Sequence, residues 1–285
     1  MTCQNAICVR FTLMLLREVE YARPSSVDEA VELLGAHDGA RALAGGQTLV
    51  NVMKARAASP DVLVDLNRLD ELRTISVAGE TLRLGAMATY TQIMASSEVE
   101  VARPILGEVV ATIADVQVRN RGTIGGNVCS NDPTNHLPPL LAALGASFTI
   151  RGADGERSVS AEEFFLGVYL TAVGEGELLT SIDVPASGRG ADGFSAVTIG
   201  VEGTCIANAA ASLAAGSPRI AIGCVSATPV LVEPSAADEE SVRAAVRAAE
   251  LDPPADVHAS ADYRRHLAEV CAVRAAAQAS ERGRS

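Results

Sequence analysis

Short apolar runs along this chain alternate with clusters of glycine, proline and small polar residues, and the period within each run separates helices from strands. After Pro24, residues Val27, Ala30, Val31 and Leu34 recur at helical spacing, Ser26 and Glu29 stand three apart as a capping box, and Gly35 closes the segment. Residues 40–44 form a short apolar strand that runs directly into Gly45-Gly46, and residues 48–54 start a helical or irregular segment behind that pair. Residues 62–66 read as a second buried strand. Ile75, Val77 and the stretch 81–84 around Ala78-Gly79-Glu80 predict a hairpin. Thr89 caps a short helix through Met94, and Pro104 opens a longer one through Ala114.

Segment 115–121 leads into a second glycine stretch, and Pro138 and Pro139 open a helix that stops at Gly145. Residues 148–159 predict a hairpin about Ala153-Asp154-Gly155, Ser160 and Glu163 a second capping box, and residues 178–184 a strand ending before Pro185. The link 186–193, with its glycines and serine, is the main domain boundary. Strands at 194–199, 205–213 and 219–225 then precede alanine-rich helices at 234–250 and 259–279, and the polar end from Gln278 frays. Runs of strands followed by helices predict the α+β class.

Composition narrows the function. At 285 residues and 48% hydrophobic content the chain is long enough for two or three lobes with substantial cores. A net charge of −12 argues against nucleic acid, which needs a basic surface. The apolar stretch 6–16 is short and interrupted by Arg10, without a basic leader or small-residue cleavage site, so neither a signal peptide nor a membrane span is expected. Met14 stands just ahead of the first patterned segment and competes with Met1 as the start. Cys3, Cys8, Cys129, Cys205, Cys224 and Cys271 include no CxxC pair and no histidine at zinc spacing. Cys3 and Cys8 have the gap that opens a plant-type iron-sulfur run, but no CxxC follows. Reduced thiols in a cytoplasmic protein are expected. His37, His136, His258 and His266 are scattered, Asp65 and Asp115 sit where a carboxylate caps, and no metal site or catalytic side-chain grouping is expected.

The chemistry lies in the two glycine segments, Ala44-Gly45-Gly46-Gln47-Thr48-Leu49 and Gly122-Thr123-Ile124-Gly125-Gly126-Asn127. Glycine lets successive N–H groups approach an anion without a β-carbon in the way, and a diphosphate is the natural guest. Neither segment has the Gly-Lys-Ser/Thr of a nucleotide-triphosphate loop, and neither is a GxGxxG dinucleotide fingerprint. Either pair alone reads as a tight turn. Together, with Gln47, Thr48, Thr123 and Asn127 in place, they read as two halves of one cradle.

These stretches, with Arg119-Asn120-Arg121-Gly122 before the second and Asp132-Pro133 after it, strongly resemble the FAD-binding medium subunit of molybdenum hydroxylases, the family of carbon monoxide dehydrogenase medium chains and the xanthine dehydrogenase flavin domain. The likeness extends from Tyr21 to Tyr263-Arg264-Arg265-His266. It implies a two-lobed FAD-binding domain of the vanillyl-alcohol-oxidase (PCMH) type plus a C-terminal α+β domain: an extension at 1–13, lobes at 14–66 and 67–185, and a C-terminal domain at 186–285. It further implies FAD held by Ala44, Gly45, Gly46, Gln47, Thr48 and Leu49, with Arg41 just ahead, by Thr123, Ile124, Gly125, Gly126 and Asn127, and by Leu178 or Leu179 against the flavin ring. Partners implied are a large molybdopterin subunit and a small iron-sulfur subunit, assembled as a dimer of heterotrimers, with an external electron acceptor.

Three positions depart from the family pattern. His136 stands nine residues after Asn127, where the family has an aspartate on the cofactor, and imidazole can still bond a hydroxyl. Thr198 aligns with a family lysine, and Ile206 with an aromatic that shields the flavin. A stand-alone flavin oxidase of the same fold is one alternative, and a structural subunit with a degenerate FAD site is another, left open by the changes at His136 and Thr198.

Overall fold

The computed structural model describes residues 16–187, 190–200, 203–214 and 216–284; the extension at 1–13, Met14 and the Cys3 and Cys8 thiols lie outside the described residues. Strand β1 (Glu20–Ala22), helix α1 (Val27–Ala36), strand β2 (Arg41–Leu43), helix α2 (Leu49–Lys54) and strand β3 (Val62–Asp65) come first. Their strands form a parallel sheet in the order β1-β3-β2. The central β3 is buried along its whole length, which is why its sequence is continuously apolar up to Asp65. Helix α1 starts where Ser26 accepts the Glu29 amide at 3.1 Å, but Glu29 reaches back to Ser25 N and Oγ at 2.7 Å, so the capping box is shifted by one residue. Ala30, Val31 and Leu34 on this helix pack with Val62, Val64 and Leu66.

A larger antiparallel sheet follows. It uses β4 (Ile75–Ala78) and β5 (Thr81–Gly85), then, after a run of helices, β6 (Ser147–Gly152), β7 (Gly155–Ser160) and, beyond the short ribbon β8 (Phe165–Gly167) and β9 (Leu170–Thr171), β10 (Leu178–Pro185), in the order β4-β5-β10-β6-β7. The inserted helices are α3 (Tyr90–Ala95), α4 (Ser97–Ala102), α5 (Ile105–Ala111), α6 (Val116–Arg121), α7 (Ile124–Ser130) and α8 (Leu137–Ala143); a one-turn α9 (Ala161–Phe164) precedes the ribbon. Leu82, Leu84, Phe148, Ile150 and Ile182 from the strands meet Leu106, Val110, Ile124 and Leu140 from the helices in one core. Burying such side chains contributes roughly 1.5–3 kcal/mol each.

The third sheet is antiparallel, β11 (Asp192–Ile199), β12 (Thr204–Ser212), β13 (Arg219–Gly223) and β14 (Val230–Val232) in sequence order, and is covered by α10 (Glu239–Ala248) and α11 (Ala261–Arg282). Small residues let α11 lie close to the sheet: Ala272, Ala275, Ala276 and Ala279 pack with Ala207, Ala209 and Ala211, and a β-carbon on Gly193 would overlap the Ala275 carbonyl. Arg103, 2% exposed, ties this sheet to the second, donating to Asp192 Oδ1 at 2.8 Å, Ser212 Oγ at 2.9 Å and the Pro185 carbonyl at 2.6 Å. The second and third sheets are antiparallel, with their helices set apart from the strands as in the α+β class.

The largest departure from the sequence pattern lies at 115–130. Segment 115–121 is helix α6, started by Asp115, whose carboxylate accepts the Val118 amide at 2.8 Å. The second glycine pair is no turn: Gly125 and Gly126 lie in the first turn of α7, capped by Thr123. Glycine's low intrinsic helix propensity hides such a helix from pattern reading. Elsewhere α5 stops at Ala111, α10 begins only at Glu239, and Ser160 caps no backbone amide of its helix but donates to Glu163 Oε2 at 3.1 Å.

Candidate cofactor site

The first glycine segment follows β2 and precedes α2. Gly46 has φ +74°, a left-handed turn that a side chain would strain, and Gln47 braces it by donating to the Gly45 carbonyl at 3.3 Å. Among the described residues, the amides of Gly45, Gly46, Gln47 and Thr48 donate to no protein acceptor. The segment is anchored from behind. Asn67 donates to the Ala44 carbonyl at 3.0 Å, and Asp65 accepts from the Asn67 amide at 3.0 Å and from the Tyr21 hydroxyl. Burial raises the Asp65 pKa, but the Tyr21 and Asn67 hydrogen bonds outweigh it and hold the carboxyl below its ordinary value. Asp65 is thus a brace, in keeping with its position at the end of an apolar strand.

The second segment is built differently. Thr123 Oγ1 accepts the Gly126 amide at 3.1 Å, the Ile124 amide donates to Ala88 O at 3.0 Å, the Gly125 amide to Ala86 O at 2.9 Å and the Asn127 amide to Thr123 O at 3.1 Å. A β-carbon on Gly125 would sit 2.5 Å from the Ala86 carbonyl oxygen, so this glycine serves helix-strand packing. The expectation that both segments present a row of N–H groups does not hold: only the first does, because the start of helix α7 and the Ala86 and Ala88 carbonyls just past β5 use the donors of the second. What the second can offer is side chains. Asn127 Oδ1 is buried with no partner among the described residues. Burial pushes the Tyr90 pKa up to about 12, so the phenol stays neutral.

The two segments meet. A β-carbon on Gly45 would overlap the Arg121 carbonyl and come within 3.0 Å of Gly122 Cα, and one on Gly126 would lie 3.6 Å from Ala44 Cβ. At this junction is a cleft of about 310 Å³ lined by Leu43 to Gln47, Val50, Asn51, Lys54, Asn67 and Arg121. Among the described residues no carboxylate lines it.

Arg41 is exposed at the start of β2, its guanidinium donating to the Ala40 carbonyl at 3.1 Å, and Thr48 is exposed at the end of the turn. Leu178 and Leu179 are buried on β10: Leu178 packs with the core of the first sheet and Leu179 with that of the second, so the pair straddles the junction of those sheets. His136, 7% exposed, starts α8 but faces the third sheet, with Nδ1 3.3 Å from Asn208 Nδ2 and its ring 5.3 Å from that of Phe194. It does not line the glycine cleft. Thr198 and Ile206 lie on β11 and β12.

The sequence pattern does not single out Asn51, Lys54 or Asn67, all of which line this cleft. Gln47, Asn51 and Lys54 are spaced four and three apart, the stripe of one helical face, and a helix over 48–54 is the signal that could have found them. Asn67 carries no such mark.

The donor set fits a dinucleotide: unpaired amides and uncompensated cations for a diphosphate, and an orphaned carbonyl oxygen for a hydroxyl. A family model described as "FAD binding domain in molybdopterin dehydrogenase" matches residues 17–187. Over 289 residues the chain is 35% identical to the carbon monoxide dehydrogenase medium chain of Afipia carboxidovorans, covering 95% of this chain and 100% of that one. It is 44% identical over 178 residues to the carbon monoxide dehydrogenase medium chain of Hydrogenophaga pseudoflava, a match that spans 62% of each, a little under two thirds. Among solved structures, carbon monoxide dehydrogenase from Hydrogenophaga pseudoflava superposes with a TM-score of 0.87 at 36% identity over 94% of this chain and 99% of that one. Quinoline 2-oxidoreductase from Pseudomonas putida 86 does so with a TM-score of 0.87 at 31% identity over 95% and 100%. The chain belongs to the family of FAD binding domains in molybdopterin dehydrogenases, and FAD is its cofactor.

Proposed function

We propose that this chain is the flavin-carrying, electron-transferring subunit of a molybdenum-dependent hydroxylase or dehydrogenase. It stands between iron-sulfur clusters on a small partner subunit and an external acceptor, while substrate is oxidised on a large molybdopterin subunit. The complex is a cytoplasmic dimer of heterotrimers. Support for partners comes from relatives named medium chains and from one named a subunit of the 6-hydroxypseudooxynicotine dehydrogenase complex, 33% identical over 93% of this chain. Among the described residues no helix is long and apolar enough to cross a membrane.

FAD, when bound, supplies a group that takes electrons singly and releases them as a pair. The chain's own residues bind and orient it. The amides of Gly45, Gly46, Gln47 and Thr48 hold the diphosphate, with Ala44, Leu49 and Arg41 bounding that segment. Thr123, Ile124, Gly125 and Gly126 set the floor against which the diphosphate rests, and Asn127 Oδ1 accepts from a ribityl hydroxyl. Leu178 and Leu179 would form the apolar wall for the flavin ring, and His136, turned toward Asn208, would add to the site only from the third-sheet side. No side chain is assigned as acid or base.

The observation that carries this reading is the contact of Gly45 with Arg121 and Gly122, which sets unpaired amides beside the second glycine segment. Copurification of the chain with its neighbours, followed by flavin absorbance at about 450 nm and metal analysis, tests it. A yellow complex containing molybdenum and iron with one flavin per copy of this chain is expected. A colourless complex, or a chain that oxidises substrate alone, contradicts it.

A further inference from the structure

Of the 23 lysine and arginine residues in this chain, Lys54 is the sole lysine. It lines the glycine cleft with Arg121, and neither has an ion pair or hydrogen bond to protein among the described residues. Most cations of this acidic chain are otherwise engaged: Arg83 with Asp183, Arg103 with Asp192, Arg157 with Glu177, Arg243 and Arg247 with Glu269, all at 3.1 Å or less. Even Arg119, two residues from Arg121, is committed to the Ile113 carbonyl at 3.0 Å and that of Ala114. Two positive charges with no carboxylate partner among the described residues therefore face this cleft, in a molecule of net charge −12.

We propose that Lys54, seconded by Arg121, is the cation that neutralises the FAD diphosphate at the first glycine segment. This rests on the FAD reading above and adds a charged group to it. The stripe Gln47, Asn51, Lys54 places the ammonium on the cleft side of α2, about one and a half helical turns along from the unpaired amides. A compact, strongly hydrated ammonium on a flexible stem acts as a point charge that can adjust to the diphosphate without the planar, bidentate fit a guanidinium favours. The amides alone supply partial charges; the diphosphate carries about two full ones, and charge-assisted hydrogen bonds are the stronger kind.

The sole lysine makes a direct test available. The purified FAD-containing complex and its flavin-stripped form are treated with an acetylating N-hydroxysuccinimide ester, and acetylation at Lys54 is followed by peptide mass spectrometry, with flavin retention measured in parallel. Bound FAD should slow Lys54 acetylation at least on the order of tenfold, and Lys54→Met should weaken FAD binding on the order of tenfold to a hundredfold, with Lys54→Arg between. ADP should protect Lys54, whereas FMN, which lacks the diphosphate, should not. Lys54 that acetylates equally fast in a yellow and a stripped protein, or a Lys54→Met protein with unchanged affinity, overturns this assignment alone. A wild-type complex that holds no FAD overturns the underlying reading as well.

Discussion

The two glycine segments share a sequence style and differ in what their backbones do. The first is a true turn, with Gly46 at φ +74° and successive amides unpaired; the second is the opening of a helix whose amides all have protein acceptors. Glycine serves opposite ends in them. In the first it frees donors and allows a left-handed bend; in the second, Gly125 lets α7 lie against Ala86, and Gly126 leaves room beside Ala44. A glycine pair is therefore not by itself an anion cradle, and the test is where each N–H goes.

Substitutions can break or sharpen that contrast. The largest effect is expected from Gly45→Ala, whose β-carbon has no room against the Arg121 carbonyl. The two segments would separate, with a loss of about 3 kcal/mol of stability and of FAD retention, measured by chemical denaturation and flavin content. Gly46→Ala should cost about 1–2 kcal/mol from its left-handed φ, and weaken FAD more than it weakens the fold, because it reorients the free amides. Thr123→Val removes the cap on the Gly126 amide and should cost about 1 kcal/mol of stability, with a smaller loss of FAD affinity than Gly46→Ala at temperatures where the protein stays folded. Isothermal titration on the stripped protein separates these two cases.

Asp65→Asn should have the smallest effect, about 0.5 kcal/mol at neutral pH, by weakening the brace behind the first segment. Its folded-state pKa lies below the ordinary value, so its stabilisation is present above a pH of about 4 and is lost as pH falls through the folded value. Acid unfolding of the wild type and of Asp65→Asn should accordingly converge at low pH.

Much of the fold is legible in the amino-acid sequence. The helix at 27–36, the hairpins about 78–80 and 153–155, the 178–184 strand and the alanine-rich C-terminal helix are written in apolar periodicity and turn residues, and Asp65 and Asp115 in their capping positions. The helical character of 116–130 is not, because Gly-Gly and Arg-Asn-Arg score poorly as helix and the stabilising contacts, Ala86 and Ala88 with α7, come from residues far back in the chain. His136 illustrates the same limit. Its place after Asn127 points to the cofactor, but Asn208 and Phe194, which set its orientation, lie on the third sheet.

Amide hydrogen exchange on the stripped and FAD-loaded complex tests the contrast most directly. In the stripped protein the amides of Gly45 to Thr48 should exchange rapidly and those of Ile124 to Asn127 slowly, and FAD should slow the first set while leaving the second almost unchanged. Slow exchange at Gly45 to Thr48 without FAD, or protection by FAD confined to Ile124 to Asn127, would contradict the account.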